Sequence, residues 1–314
     1  MIPFRKRVNQ LKKLFTVGGM LLLSTALFTG CVDQTGGGQT SNATSSETGS
    51  TAESGDSPRI IATSMAVVEI CDKLELDLIG IPESSLSDPP KRYEGVTTIG
   101  MPMSPDIEVI SSMKPDWVLS PVSLISDLQP KYEELDTEYA FLNLNSVAGM
   151  YKSILQLGQL FGKEEKAQQL VDEFNQFYDS YKEKHEGKEA PTVLILMGLP
   201  GSYVVATENS YVGSLVAMAG GKNVYAGEEG DFLNINTEDM LEKEPDIILR
   251  TAHALPDQVM EMFADEFKTN DIWKHFKAVK EERVYDLSYE KFGMSADFEY
   301  EAALEELEPI LYGE

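Results

Sequence analysis

Two segments of this 314-residue chain decide its architecture. One is Ile107-Glu108-Val109-Ile110 followed by Pro115-Asp116-Trp117-Val118-Leu119; the other is Thr237-Glu238-Asp239-Met240 followed by Pro245-Asp246-Ile247-Ile248-Leu249. In each, a glutamate opens a short helical pattern and a Pro-Asp pair begins seven residues later. Proline cannot continue a helix, and Pro-Asp marks a turn. The apolar run that follows reads as a buried strand. A helix–turn–strand unit that returns 130 residues further on predicts two lobes built on one plan.

The surroundings of each copy carry the same rhythm. Before and around the first, Arg59–Thr63, Leu78–Ile81, Thr97–Ile99, Trp117–Ser120 and Ala140–Leu142 read as strands, with helical patterns over Ala66–Leu74 and Ile107–Met113. Around the second, Thr192–Met197, Tyr203–Ala206, Ile247–Arg250 and Arg283–Asp286 read as strands. The helices there are Val212–Ala219, Thr237–Lys243, Gln258–Phe263 and the run from Glu299. Such alternation predicts an α/β fold with a mostly parallel sheet in each lobe. Between the lobes, from Val147 to about residue 187, apolar residues recur at helical spacing with an interruption only near Phe161-Gly162. This predicts one long helix joining an N-terminal lobe (58–146) to a C-terminal lobe (188–314).

The N-terminus has a different character. Arg5, Lys6, Arg7, Lys12 and Lys13 precede an uncharged run from Leu14 to Phe28. That run is short for a membrane span and reads as the core of a signal peptide over residues 1–30. It ends Thr29-Gly30-Cys31, which resembles a bacterial lipoprotein cleavage site. The expectation is a protein lipid-anchored through Cys31 on the extracytoplasmic face of the cell membrane. Stable anchoring needs more than one acyl chain. Residues 31–57 are dominated by Gly, Ser, Thr, Gln and acids, a flexible tether that cannot bury a core. The remaining cysteine, Cys71, lies in an apolar helical pattern and reads as small core filler.

Removing the five basic residues of 1–30 from the chain's 26 leaves 21 against 52 acids, a net charge of −31. Nucleic-acid binding needs clustered Lys and Arg and is excluded as a function class. No phosphate loop or nucleophile elbow is present, so the chain does not read as an enzyme. Only three histidines exist. His185, among Lys and Glu, reads as solvated, and His275, beside Trp273 and Phe276, as a packed or surface residue. His253 leaves the carboxyl end of a predicted buried strand, where ligands of open α/β sheets bind. On its own it stands either as a ligand or as a satisfied loop histidine. Met103 lies on a short loop after the strand Thr97–Ile99, with Ser104-Pro105 read as an N-cap and first helical residue; Met101 is two residues away.

The repeated unit, the long connecting helix and Ala219-Gly220-Gly221-Lys222-Asn223-Val224 resemble the siderophore, cobalamin and haem class of ABC-importer binding proteins, across Pro58 to Glu314. Within that class the chain is most similar to haem-receptor lipoproteins of the iron-regulated surface determinant system. The closest stretches are Ile99-Gly100-Met101-Pro102-Met103, Leu194-Ile195-Leu196-Met197-Gly198, Pro200-Gly201-Ser202-Tyr203 and residues 270–280. The resemblance implies the two-lobed architecture of a class III periplasmic binding protein. It implies one haem b per chain, held between the lobes by one Met and one His, here Met103 and His253. It implies delivery to an ABC permease and its ATPase by a monomer that takes haem from a surface donor, with Glu108 and Glu238 meeting the permease. Acids at those places also favour a helix start in their own right. For a haem ligand, propionate donors are expected at Thr63, Ser64, the amides from Met65 onward, Ser84 and Ser85, with a plain turn role the alternative for each serine. Tyr203, Met65 and Val204 are the candidates for the porphyrin face, with ordinary core or surface packing the alternative. A ferric siderophore or cobalamin is the alternative cargo on the same fold.

Overall fold

The computed structural model describes residues 57–84 and 87–313. The expected signal peptide, Cys31, nearly all of the tether and Ser85 lie outside the described residues.

The first lobe contains β1 (Ile60–Ala62), α1 (Met65–Lys73), β2 (Leu78–Ile81), β3 (Thr97–Thr98), the hairpin strands β4 (Gly100–Met101) and β5 (Ser104–Pro105), α2 (Ile107–Met113), β6 (Trp117–Pro121), α3 (Ile125–Tyr132) and β7 (Glu138–Leu142). Its sheet has the order β3-β2-β1-β6-β7 with every pairing parallel. The second lobe contains β8 (Thr192–Leu199), β9 (Ser202–Ala206), α6 (Tyr211–Met218), β10 (Lys222–Asn223), β11 (Phe232–Leu233), α7 (Thr237–Glu242), β12 (Ile247–Ala252), α8 (Pro256–Thr269), α9 (Lys277–Lys280), β13 (Val284–Asp286) and α10 (Tyr300–Tyr312). Its sheet runs β11-β9-β8-β12-β13, with β10 also on β8. This sheet is mixed, because β9 folds back antiparallel on β8 and β11 pairs antiparallel with β9.

The sequence repeat has a structural cause. After α2 the chain turns through Lys114 at φ 47°, and after α7 through Glu244 at φ 46°. Each Pro-Asp then ties the start of its strand to the neighbouring central strand. The Asp116 carboxylate accepts from the Arg59 amide at 2.8 Å. Asp246 accepts from the Thr192 amide at 3.0 Å and from its hydroxyl at 2.8 Å. Lys277 lies 2.8 Å from Asp246 and, with these bonds, holds its carboxyl well down, at about 2. Both repeats therefore fix strand register at the amino edge of a sheet, leaving the opposite edge for loops.

The stretch 147–187 corrects the expectation of a single rod. It forms α4 (Val147–Phe161) and α5 (Glu164–Lys184), separated by Gly162 in the left-handed region at φ 67°. The two helices fold against each other. The rings of Tyr151 and Phe174 stack with centroids 4.5 Å apart, and a Cβ on Gly158 would stand 2.6 Å from that of Ala167. Only α5, 21 residues long, leads into the second lobe. There Tyr151 and Tyr300 exchange a hydroxyl bond at 2.9 Å, and the Tyr181 hydroxyl donates to the Leu304 carbonyl. One apolar cluster includes Ile60, Leu119 and Leu142 of the first sheet together with Val193, Ile195 and Leu249 of the second. The lobes thus share a core along this seam. His185, expected on a solvated face, is buried at the end of α5. It donates from Nδ1 to the Tyr181 carbonyl at 2.7 Å and stacks on Tyr312.

Candidate functional site

In each lobe the parallel strands end at one edge, and the expected site residues sort by whether they reach it. His253 is the first residue after β12, which runs two residues further than the sequence pattern indicates. Its amide donates to the Gly198 carbonyl at 2.9 Å, continuing the β8–β12 ladder. Its ring is half-buried, and burial lowers its pKa, which favours neutral imidazole. Nδ1 is buried with no hydrogen-bond partner, leaving Nε2 as the nitrogen available to an incoming ligand. Gly198 is required here: a Cβ would meet Val259 of α8 at 2.2 Å. Its bareness lets α8 lie close under the strand that carries His253.

Met103 does not sit on a plain loop before a helix. Ser104-Pro105 form a strand, not an N-cap, and β4 and β5 pair antiparallel with Pro102-Met103 as the two-residue turn. Proline fixes φ at the first turn position, as in a type I or II turn. The cap of α2 is instead Asp106, whose carboxylate accepts from the amides of Glu108 and Val109, both at 3.0 Å. The hairpin is rooted by Glu83 N to Gly100 O at 2.8 Å and Asp106 N to Ile99 O at 2.7 Å. Met103 is 64% exposed and Met101 63%. A thioether is ordinarily core filler. Two of them held out in solvent on an anchored hairpin are available to a ligand.

The remaining expected residues divide. Ser64 caps α1, accepting from Val67 N at 3.4 Å, and is half-buried with Met65 beside it. Ser84 is exposed, and its hydroxyl accepts from the Ser87 amide at 3.2 Å. Thr63 is a correction. It is wholly buried, with its hydroxyl 2.7 Å from that of Ser120, which in turn meets Tyr132 at 3.0 Å. It braces β1 against β6 and presents no donor at the surface. Tyr203 is likewise turned into its own lobe, tilted against Phe263 and Trp273, with its hydroxyl donating to Glu266 at 3.3 Å. Glu108 and Glu238 are exposed at the second position of α2 and α7. His275 is exposed on a short helical turn. A cavity of about 550 Å³ lined by Lys188, Asp246, Lys277 and Arg283 lies at the amino edge of the second sheet, away from His253. Its Lys277 is already paired with Asp246.

Among the described residues no group of three or more His, Cys, Asp or Glu is placed to hold a metal ion. That geometry does not match a polydentate zinc or manganese site.

The fold is that of a substrate-binding protein of the two-lobed kind, and the comparisons with known proteins agree. The family described as periplasmic binding protein matches residues 60–290. The chain is 44% identical to the high-affinity heme uptake system protein IsdE of Staphylococcus aureus, over 81% of this chain and 87% of that one. Among solved structures, an ABC transporter substrate-binding protein from Listeria monocytogenes EGD-e superposes with TM-score 0.79 at 48% identity, covering 82% of this chain and all of that one. S. aureus IsdE complexed with heme superposes with TM-score 0.76 at 43% identity, covering 81% and 99%. This chain belongs to the periplasmic binding protein family. S. aureus SirA complexed with staphyloferrin B, 16% identical at TM-score 0.64, shares the fold.

Proposed function

We propose that this protein is the haem receptor of an ABC importer, binding one haem b and presenting it to a permease and its ATPase. The reading is supported by the placement of Met103 and His253. His253 directly follows β12 of the second lobe and Met103 stands on the hairpin that follows β3 of the first, in a chain 43% identical to a protein whose structure holds heme. Thioether and neutral imidazole would take the two axial positions without adding charge. Burial of His253 favours the unprotonated ring that ligation needs. Ser64, the first amides of α1 and Ser84 are the polar groups offered to the propionates, a helix start being a ready anion site.

The lipid anchor at Cys31 and haem acquisition from a surface donor belong to the same proposal, as do monomeric action and the absence of catalysis. Siderophore binders share the fold at 16% identity, but the pair of soft, uncharged ligands suits haem rather than an iron already saturated by its chelator. The test is a titration of the ligand-free protein with haem, followed by absorbance. Saturation at one haem per chain with a sharp, shifted Soret band is expected. No saturable binding, or preferential binding of a ferric siderophore, would remove the proposal.

A further inference from the structure

Five non-glycine residues have positive φ among the described residues: Glu75, Lys114, Glu244, Leu255 and Glu282. Four are charged and stand at the carboxyl end of a helix, just after α1, α2, α7 and α9. A left-handed residue commonly ends a helix there. Leu255 alone stands at a helix start. It is the N-cap of α8 at φ 49°, ψ 58°, directly before Pro256.

That position breaks several local rules at once. Left-handed backbone disfavours a residue with a Cβ and favours Gly or Asn. The residue before proline is normally extended, with ψ well above 58°. An N-cap is normally Ser, Thr, Asp or Asn, and Leu255 makes no side-chain cap bond. The residue is also 60% exposed, so burial offsets little of this. Strain that persists in a fold without local compensation concentrates at ligand sites. The large hydrophobics that stand out as exposed among the described residues are Met101, Met103 and Leu255. Two of these flank or form the hairpin turn, and the third is two residues from His253.

Resting on the haem-receptor reading, we infer that Leu255 is a ligand-contact residue: its backbone is held left-handed so that its side chain stands out of the protein and is covered by the apolar face of a porphyrin beside His253. The contact is with the macrocycle and not with iron. It therefore acts on metal-free porphyrin as well as on haem, and it trades stability of the ligand-free protein for affinity.

The test compares wild type with Leu255→Asn and Leu255→Met in the full chain. Asparagine relieves the left-handed strain, so Tm of the ligand-free protein should rise by roughly 2–6 °C. It also removes the apolar contact, so haem and metal-free protoporphyrin IX should each bind about tenfold more weakly. The haem-loaded Asn variant should keep the low-spin spectrum, since iron ligation is untouched. Methionine restores an apolar side chain and should keep both affinities within about twofold. Binding by Leu255→Asn equal to wild type would overturn the inference, as would a Leu255→Met protein as weak as Leu255→Asn. Loss of low-spin character in Leu255→Asn would also overturn it, because the residue would then act through His253. Failure of wild type itself to bind haem would strike the underlying reading instead, which separates the two.

Discussion

Glu69 shows how one residue reports on the seam between the lobes. It lies half-buried on α1, one turn before Lys73, whose Nζ stands 5.2 Å over the ring of Phe298. Phe298 belongs to the segment that returns against the first lobe, where the Ala296 amide donates to the Leu144 carbonyl at 2.7 Å. Burial pushes the Glu69 carboxyl up to about 7; Asp297, Glu299 and Asp72 push the same way and Lys73 opposes them. Asp297 is raised to about 6, again chiefly by burial. A carboxyl raised in the folded state contributes stability that is complete below its unfolded pKa and is lost as pH rises through its folded one. Thermal stability should therefore fall from about pH 4 to about pH 7, between the unfolded and folded values of these two carboxyls, and level off above. Glu69→Gln should flatten that fall and stabilise the protein at about pH 8 by roughly 1–2 kcal/mol, less than the full shift implies because Glu69 keeps some solvent contact. Melting curves across this range check it, and an unchanged profile in Glu69→Gln would contradict it. None of this is legible in the sequence, where Glu69 and Asp297 are 228 positions apart. His253 was legible as a candidate because an apolar run points to it, whereas the strain at Leu255 exists only in the folded backbone.

Among the elements, α2 and α7 are the most instructive pair. Their caps, Asp106 and Asn236, hold equivalent amides, and each presents an exposed glutamate at its second residue. Among the described residues neither Glu108 nor Glu238 has a side-chain hydrogen bond or ion pair. Two matched acids, one per lobe, are suited to two basic contacts on a permease. Each exposed pair is worth roughly 0–1 kcal/mol, so single changes should be nearly silent. The Glu108→Ala/Glu238→Ala double variant should bind haem as wild type does yet support less haem uptake by cells. Undiminished uptake by the double variant would reduce these acids to helix-start charges. The helix–turn–strand unit was legible because Pro-Asp and the apolar run are local signals. The β4–β5 hairpin was not: two-residue strands carry no periodicity, and Ser104-Pro105 imitates a helix cap. The α4–α5 fold-back was half legible. Gly162 marks the break, but the reversal depends on Tyr151 meeting Phe174 and on the close approach at Gly158, which are tertiary contacts.

At the scale of the molecule, the two-lobed α/β plan followed from the alternation of strands and helices. The mixed character of the second sheet did not, because the antiparallel return of β9 hangs on the tight Pro200-Gly201 turn, with Gly201 at φ 85°. The shared core and the aromatic seam of Tyr151, Phe174 and Tyr300 join the lobes, and each lobe supplies one candidate ligand. On the proposed function, a single haem iron is held by Met103 and His253 together. Magnetic circular dichroism of the haem-loaded protein tests it most directly. Wild type is expected to give a six-coordinate, low-spin signature of thioether and imidazole, and Met103→Ala and His253→Ala should each lose it. Retention of that signature in either variant would contradict the account.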